Sequence, residues 1–371
     1  MDGTETFLSE DETFFGPLYR FVSDDNITDI DFNGSRIWLT NTDNTRYMSD
    51  VVLSAEFVEQ FSNRVSNVVS KAFHQQQPIL EAETDRLRIT IVHESVAVSG
   101  RSICIRKSLP YVRMTEESML REGYCSKEIL KLLKNCVLAK KNLTFCGEPG
   151  VGKTECAKFF SQYIPANERV ITIEDNPEWH YREVNPGKDC IELKVNDRMD
   201  YTQAIKTSLR LNPKWMMLSE SRSVEVVKLI EGFSTGVRGM TTLHTDDVRK
   251  VPDRMVNMGG QIRSESRMEN DIYSFIDIAV LIRRKEHRDA AGPGRVYRYI
   301  DQICYFERKD QTNYCHMIVD DGEFVCDQLP ENLEKSFEAL QMQNDFRVIN
   351  DRSSSPGLRD HGTYRGFADS F

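Results

Sequence analysis

The chain has 371 residues, a formal net charge of −10 and 39% hydrophobic residues. This length allows roughly two domains of about 150 residues each, with packed cores. The sequence lacks an apolar run near the ~20 residues of a membrane-spanning helix, and its first 25 residues are acidic, unlike a signal segment. The negative charge disfavours general binding to nucleic acid or to anionic membranes. We therefore expect a cytoplasmic protein without direct nucleic-acid binding.

The nine cysteines form no C-x-x-C pair. Four of them, Cys104, Cys136, Cys146 and Cys156, have apolar neighbours, in which a thiol behaves as a small hydrophobic group. We predict that these four are reduced core residues.

The first hundred residues are typical of a small α/β domain, predicted at 1–107. Alternating apolar residues predict short strands at 30–32, 37–39, 87–91 and 103–105. An apolar stripe from Phe57 to Ala72 predicts one buried helix. A linker is predicted at 108–118, where Pro110 interrupts the pattern.

Five aromatic residues lie within the acidic first 25 positions: Phe7, Phe14, Phe15, Tyr19 and Phe21. They could pack on the first domain or form a helix that docks on a membrane partner. We favour packing, because aromatic stripes usually bury.

The second domain is predicted at 119–349, where strands and helices alternate. Short apolar runs predict strands at 143–146, 170–173, 191–195, 215–218 and 240–243. This alternation predicts a mostly parallel sheet. The composition of residues 350–371, rich in Ser, Arg, Asp and Gly, predicts a disordered tail.

The segment between the predicted strand 143–146 and a predicted helix at 155–163 fits the phosphate-loop pattern G-x-x-x-x-G-K-[ST]. Its residues are Gly147, Glu148, Pro149, Gly150, Val151, Gly152, Lys153 and Thr154. Main-chain N–H groups of such a loop point at phosphates, the lysine adds a positive charge, and the threonine can ligate Mg²⁺. The strand-loop-helix context favours a nucleoside triphosphate site over a Gly-Pro turn with an incidental Lys-Thr pair.

Polar residues follow three of the predicted strands: Glu174 with Asp175, then Glu220, then His244. Ligands of parallel sheets lie beyond the carboxyl ends of the strands, so these side chains are candidates to hold Mg²⁺ and orient water. Asp175 is the candidate metal ligand, together with the threonine of the loop. The alternatives are a helix cap for each glutamate and a structural role for the histidine.

The order of these motifs resembles the secretion and pilus-assembly ATPase superfamily of type II and type IV systems, most of all its tight-adherence pilus and conjugation branch. The segment Ile171-Thr172-Ile173-Glu174-Asp175 resembles the family's Asp box. Leu209 to Pro213 and Leu218 to Arg222 resemble its Walker B region, and Thr235 to His244 resembles its His box. The likeness covers about residues 27–307.

This resemblance implies a RecA-like ATPase domain in a homohexameric ring, with ATP and Mg²⁺ as cofactors. It implies that Arg106 reaches the nucleotide and that Arg210 and Arg222, near the Walker B segment, are candidate catalytic arginines that could act across the subunit interface. The alternative for both is a surface or intra-subunit salt bridge. The implied partner is an inner-membrane platform protein of a pilus or secretion machine. Membrane association would then be peripheral.

Several positions depart from the family pattern. Glu148 adds negative charge to the loop and Pro149 lacks an N–H group, while Ser219 replaces a glycine before Glu220. These departures predict a weak or partner-activated ATPase.

Two other functions remain open. A nucleic-acid motor would need a basic track or clustered stacking aromatics, and the sequence shows neither. A ring gated by nucleotide with little hydrolysis fits the same departures.

Overall fold

The computed structural model describes residues 8–43, 45–287, 295–340 and 364–365. The chain divides into two compact units, the first ending at Pro110 and the second beginning at Tyr111, apart from two short later segments that group with the first. The predicted tail lies outside the described residues, except for two positions in a short strand. Among the residues described, the structure offers no helix that is both long and apolar enough to cross a bilayer.

The first unit is a six-stranded antiparallel sheet with three helices. The helices are α1 (Glu12–Phe15), α2 (Tyr19–Val22) and α3 (Ala55–Val68). The strands are β1 (Ile27–Phe32), β2 (Ile37–Asn41), β3 (Arg46–Met48), β4 (Ile79–Glu83), β5 (Leu87–Val92) and β6 (Ser102–Lys107), in the order β3-β2-β1-β6-β5-β4. Side chains alternate between buried and accessible along β5 and β6, as expected when one face of a sheet packs on a core.

The aromatic residues near the start of the chain pack inside the first unit. Phe15 and Phe21 are buried in its core, and Phe14 and Tyr19 pack against it. This packing agrees with the interpretation that we favoured. Phe7 lies outside the described residues.

One of the four cysteine predictions is wrong. Cys104 is exposed, because its neighbours Ile103 and Ile105 occupy the buried face of β6 and leave it on the opposite face. Cys136, Cys146 and Cys156 are free and buried, as predicted.

The second unit combines helices with a ten-stranded sheet. The helices are α4 (Glu116–Arg121), α5 (Lys127–Leu138), α6 (Lys153–Ser161), α7 (Tyr181–Val184), α8 (Tyr201–Ser208), α9 (Glu225–Ser234), α10 (Val251–Gly259), α11 (Glu265–Phe275) and α12 (Glu331–Glu338). The strands are β7 (Leu143–Cys146), β8 (Val170–Glu174), β9 (Cys190–Lys194), β10 (Trp215–Leu218), β11 (Arg238–Leu243), β12 (Ile278–His287), β13 (Arg295–Lys309), β14 (Thr312–Asp320), β15 (Glu323–Phe324) and β16 (Tyr364–Arg365).

The strand order of this sheet is β15-β14-β13-β12-β7-β11-β10-β8-β9, with β16 paired to β14. Strands β7 to β12 pair in parallel, whereas β14 pairs antiparallel with β13, β15 and β16. The central strands β7, β8 and β10 are buried along their whole length, as in sheets covered by helices on both faces. The predicted fold class is confirmed: a small α/β domain precedes a RecA-like domain with a mostly parallel sheet.

Helix starts follow local capping chemistry. The side chain of Ser126 accepts a hydrogen bond from Ile129 N–H at the start of α5. Thr115 forms a capping box with Ser118, so α4 begins inside the segment 108–118 that the sequence suggested as a linker.

Candidate nucleotide site

The phosphate loop joins β7 to α6 and depends on glycine conformation. Gly147 has a φ of +146°, and a Cβ atom placed there would lie 2.6 Å from the carbonyl oxygen of Ile282. Gly152, with a φ of +91°, is the left-handed residue from which α6 begins. Residues with a side chain avoid these conformations, so the glycines allow the loop to curl tightly before the helix.

Lys153 is the first residue of α6 and is only 8% exposed. Its ammonium group donates to the carbonyl oxygens of Gly147 at 3.2 Å and Glu148 at 3.1 Å. It also lies 3.1 Å from Nδ1 of His244. Nδ1 also lies 3.2 Å from the carbonyl oxygen of Gly147, an acceptor that favours a proton on Nδ1. An ammonium group only donates, so the Lys153 contact favours the other tautomer, in which Nδ1 accepts and Nε2 carries the proton.

Parallel pairing brings the strand ends to one edge of the sheet. Leu218 of β10 pairs with Ile173 of β8 and Thr241 of β11, while Leu243 of β11 pairs with Cys146 of β7. The residues that follow these strands, including the phosphate loop, therefore share the same edge.

Four charged or polar side chains at this edge form one chain of contacts. Nε2 of His244 lies 3.0 Å from Oε1 of Glu220. The guanidinium of Arg222 lies 2.8 Å from Oε2 of Glu220 and 3.0 Å from Oδ2 of Asp175. Through His244, this chain connects Lys153 of the phosphate loop with both carboxylates.

The imidazole of His244 is held neutral. Partial burial and the positive charge of Lys153 lower the pKa of His244, and together they outweigh the carboxylate of Glu220, which acts in the opposite direction. This direction agrees with the tautomer that the lysine contact favours. A neutral imidazole can donate to Glu220 and accept from Lys153 simultaneously.

Glu174 has a different environment from Glu220. It is 6% exposed at the end of β8, and its Oε2 accepts a hydrogen bond from Trp179 N–H at 3.0 Å. Glu174 thus supports the loop after β8. Glu220 instead belongs to the set of side-chain contacts that reaches Lys153 of the phosphate loop.

The two remaining arginine candidates, Arg210 and Arg106, belong to other secondary-structure elements. Arg210 is exposed in a short 3₁₀ turn, Leu209–Leu211, before β10 begins, so it lies at the opposite end of that strand from Glu220. Arg106 is on β6 of the first unit, where it pairs with Asp29 at 3.1 Å and its side chain is 66% exposed.

The oxygen groups suited to Mg²⁺ are the hydroxyl of Thr154, next to Lys153, and the carboxylate of Asp175. Mg²⁺ takes oxygen ligands and is usually held by one or two protein groups plus substrate phosphates. Among the described residues, no cluster of three or more His, Cys, Asp or Glu is placed to bind a metal. The hydroxyl of Thr154 and the carboxylate of Asp175 are oxygen donors of the kind that Mg²⁺ takes.

Sequence reasoning missed residues that complete the site. Glu225, 6% exposed, accepts N–H hydrogen bonds from Arg222 at 2.7 Å and Ser223 at 2.8 Å and so fixes the turn that carries the guanidinium. A glutamate three residues after Arg222 at a helix start was the available signal. Lys250 and Arg254 line a cavity of about 410 Å³ beside the phosphate loop.

Comparison with known proteins places this site in a family. The family model described as "Type II/IV secretion system protein" matches residues 15–319. The chain belongs to the type II/IV secretion system protein family. This membership supports nucleotide binding and ATP hydrolysis in the secretion class, in agreement with the resemblance seen in the sequence.

The individual relatives are distant. An uncharacterized protein of Bacillus anthracis is 28% identical over 297 residues, which cover 78% of this chain and 67% of that protein. The type IV secretion system protein VirB11 of Bartonella quintana is 29% identical over 181 residues, covering 46% of this chain and 50% of VirB11. The chain thus spans about half the length of that VirB11.

Among solved structures, the ATPase DotB of Yersinia pseudotuberculosis matches with a TM-score of 0.58 and 16% identity, covering 81% of each chain. At this identity the likeness shows the fold of the two-domain ATPases.

Proposed function

We propose that this chain is a Mg²⁺-dependent ATPase that acts as a homohexamer and powers pilus assembly, secretion or conjugative transfer through an envelope machine. One observation carries the proposal: Lys153 of the phosphate loop contacts His244, which contacts Glu220. His244 thus lies between Lys153, which would pair with the nucleotide phosphates, and Glu220, the candidate carboxylate that orients water. Family membership supports the same reaction.

Binding uses the loop and its lysine. Main-chain N–H groups of residues 147–154, other than Pro149, would donate to the phosphate oxygens, and Lys153 would leave the loop carbonyls to pair with them. The hydroxyl of Thr154 and the carboxylate of Asp175 would hold Mg²⁺, which would neutralise phosphate charge.

Glu220 is the group that we assign to water orientation, because it receives the Nε2 proton of His244 and lies at the edge shared with the loop. Glu174 is the second candidate, which the resemblance favours. Arg222 neutralises developing charge, and an arginine in this role contributes about 10³ to 10⁵ in rate.

We propose that one contact, together with the departures in the loop, slows basal turnover. Asp175 is paired with Arg222 at 3.0 Å, so a candidate metal ligand is engaged by a cation before nucleotide arrives. Breaking this pair adds to the cost of Mg²⁺ binding. We therefore propose that assembly or a membrane partner, which repositions Arg222, raises the rate.

We propose domain limits of 1–107 and 119–349, with 108–118 as the linker. Arg106 belongs to the first unit and Arg210 precedes β10, and we propose that both act on nucleotide in the assembled ring. The proposed location is the cytoplasmic face of the membrane, bound peripherally to a platform protein.

The test is Mg²⁺-dependent ATP hydrolysis by the purified full-length chain, with oligomeric mass followed by light scattering. Turnover that requires Mg²⁺, together with a six-subunit mass, supports the proposal. A chain that neither binds nor hydrolyses ATP, alone or with membranes that contain its platform protein, overturns it.

A further inference from the structure

The two acidic residues that the site uses stand just past the end of a paired ladder. Strands β8 and β10 pair in parallel up to Ile173 and Leu218. Asp175 and Glu220 each lie two residues beyond this last pair. Their separation therefore depends on contacts other than strand register.

The hydroxyl of Tyr201, the first residue of α8, supplies such a contact. Its oxygen accepts a hydrogen bond from Asp175 N–H at 3.2 Å and lies 3.4 Å from Oγ of Ser219. Either hydroxyl can donate in the contact between Tyr201 and Ser219.

Ser219 in turn contacts β11, the strand next to β10. Its carbonyl oxygen accepts a hydrogen bond from the Thr242 hydroxyl at 2.7 Å, and Ser221 N–H donates to the Thr242 carbonyl at 2.9 Å. Tyr201 thus connects the end of β8 to β10 and, through Ser219, to the end of β11 that leads to His244.

A second bridge between the acidic residues uses their side chains. Arg222 contacts both carboxylates, and this bridge opens whenever Asp175 ligates a cation or the guanidinium turns to a phosphate. The tyrosine hydroxyl is also a hydrogen-bond partner of the Asp175 carboxylate, but its bond with the Asp175 N–H can persist while the carboxylate changes partner.

We propose that Tyr201 is a positioning residue that holds Asp175 and Glu220 at a fixed separation for magnesium and for the attacking water. This inference rests on the proposed nucleotide site. It assigns the tyrosine a role that depends on its hydroxyl rather than on its ring.

Tyr201→Phe tests the hydroxyl alone, because the ring that packs against the core of the second unit is retained. Binding of a fluorescent ADP analogue is measured across a Mg²⁺ titration, and kcat is measured with ATP. We expect the half-saturating Mg²⁺ concentration to rise about 3- to 10-fold and kcat to fall by a similar factor, the range for one hydrogen bond. Binding without Mg²⁺ stays unchanged.

A matched control removes a different hydroxyl from the same unit. Tyr163 donates to Glu116 at 2.6 Å in an exposed contact, so Tyr163→Phe should leave both Mg²⁺ dependence and kcat unchanged. Because Tyr201 acts partly through Ser219, the effects of Tyr201→Phe and Ser219→Ala on kcat should be non-additive in a double-mutant cycle.

The outcomes separate the two proposals. Wild-type binding and hydrolysis, with Tyr201→Phe matching wild type in Mg²⁺ dependence and kcat, overturns the positioning role and leaves the proposed function standing. A wild-type chain that binds no nucleotide overturns the proposed function, and the positioning role with it.

Discussion

The ammonium group of Lys153 lies 3.1 Å from Nδ1 of His244, and this contact joins the phosphate loop to the carboxylates at the strand ends. In the structure the lysine donates to the carbonyl oxygens of Gly147 and Glu148. A nucleotide that pairs with this lysine would therefore replace existing partners. The lysine contact also favours the His244 tautomer that donates to Glu220.

Replacing Lys153 should remove the main attraction for phosphate. We expect Lys153→Ala to weaken binding of a fluorescent ADP analogue by at least about 100-fold, since charge-assisted hydrogen bonds to phosphate are lost. Lys131→Ala, on α5, is the control for loss of a lysine. Equal affinity in Lys153→Ala and wild type would show that the loop does not bind phosphate.

The low pKa of His244 predicts a pH dependence of stability. The unfolded chain binds a proton at this histidine near pH 6.5, whereas the folded chain resists it. Stability from this group is therefore complete above about pH 6.5 and is lost as pH falls. Thermal unfolding of the nucleotide-free chain between pH 7.5 and 5.5 should show a decline that is smaller in His244→Gln. Identical declines in both chains would contradict the neutral imidazole.

Gly147 should resist substitution for two separable reasons. Gly147→Ala adds backbone strain at φ +146° and a contact of 2.6 Å with the Ile282 carbonyl oxygen. Gly123→Ala adds strain at φ +68° with no atom within 4 Å of the new Cβ. We expect the first variant to lower both Tm and nucleotide affinity. We expect the second to lower the free energy of unfolding by about 1 kcal/mol, and Tm with it, while nucleotide affinity stays unchanged. If both variants lost the same amount of Tm and of nucleotide affinity, the positive φ alone, and not the contact with Ile282, would explain the losses.

Mixed assemblies can show which arginine acts across subunits. Arg222 contacts Glu220 of its own chain, whereas Arg210 lies at the other end of β10. Subunits with Arg210→Ala and subunits with Lys153→Ala should each be inactive alone. If Arg210 acts in trans, mixing them restores hydrolysis, because some sites combine an intact loop with an intact arginine. Mixing Arg222→Ala with Lys153→Ala should restore none.

The sequence predicted the central sheet well, because short, wholly apolar runs that alternate with helical patterns are typical of buried parallel strands. The predicted strand 215–218 matches β10, and the prediction of polar residues at strand ends led to the neighbourhood of Asp175, Glu220 and His244. The fold of this region is determined largely by local pattern.

Other features depend on tertiary contacts that a local pattern does not contain. The helix that was predicted to extend to Ala72 ends at Val68, because Ser70, two residues later, adopts a left-handed φ of +52°. The antiparallel strands β13 to β15 were not predicted. The face of β6 that packs on the core decides that Cys104 is exposed. The orientation of α8 against the core likewise decides which groups the Tyr201 hydroxyl contacts.

The most direct test compares binding and hydrolysis in Glu220→Gln. The amide keeps the shape but loses the negative charge that receives the proton of His244, so we expect ADP and ATP affinity within about 3-fold of wild type and kcat lower by about 10² or more. Glu231→Gln, on α9 and paired with Lys228 and Arg263, is the matched control and should keep wild-type kcat. Wild-type turnover in Glu220→Gln would contradict the assignment of this carboxylate to water orientation.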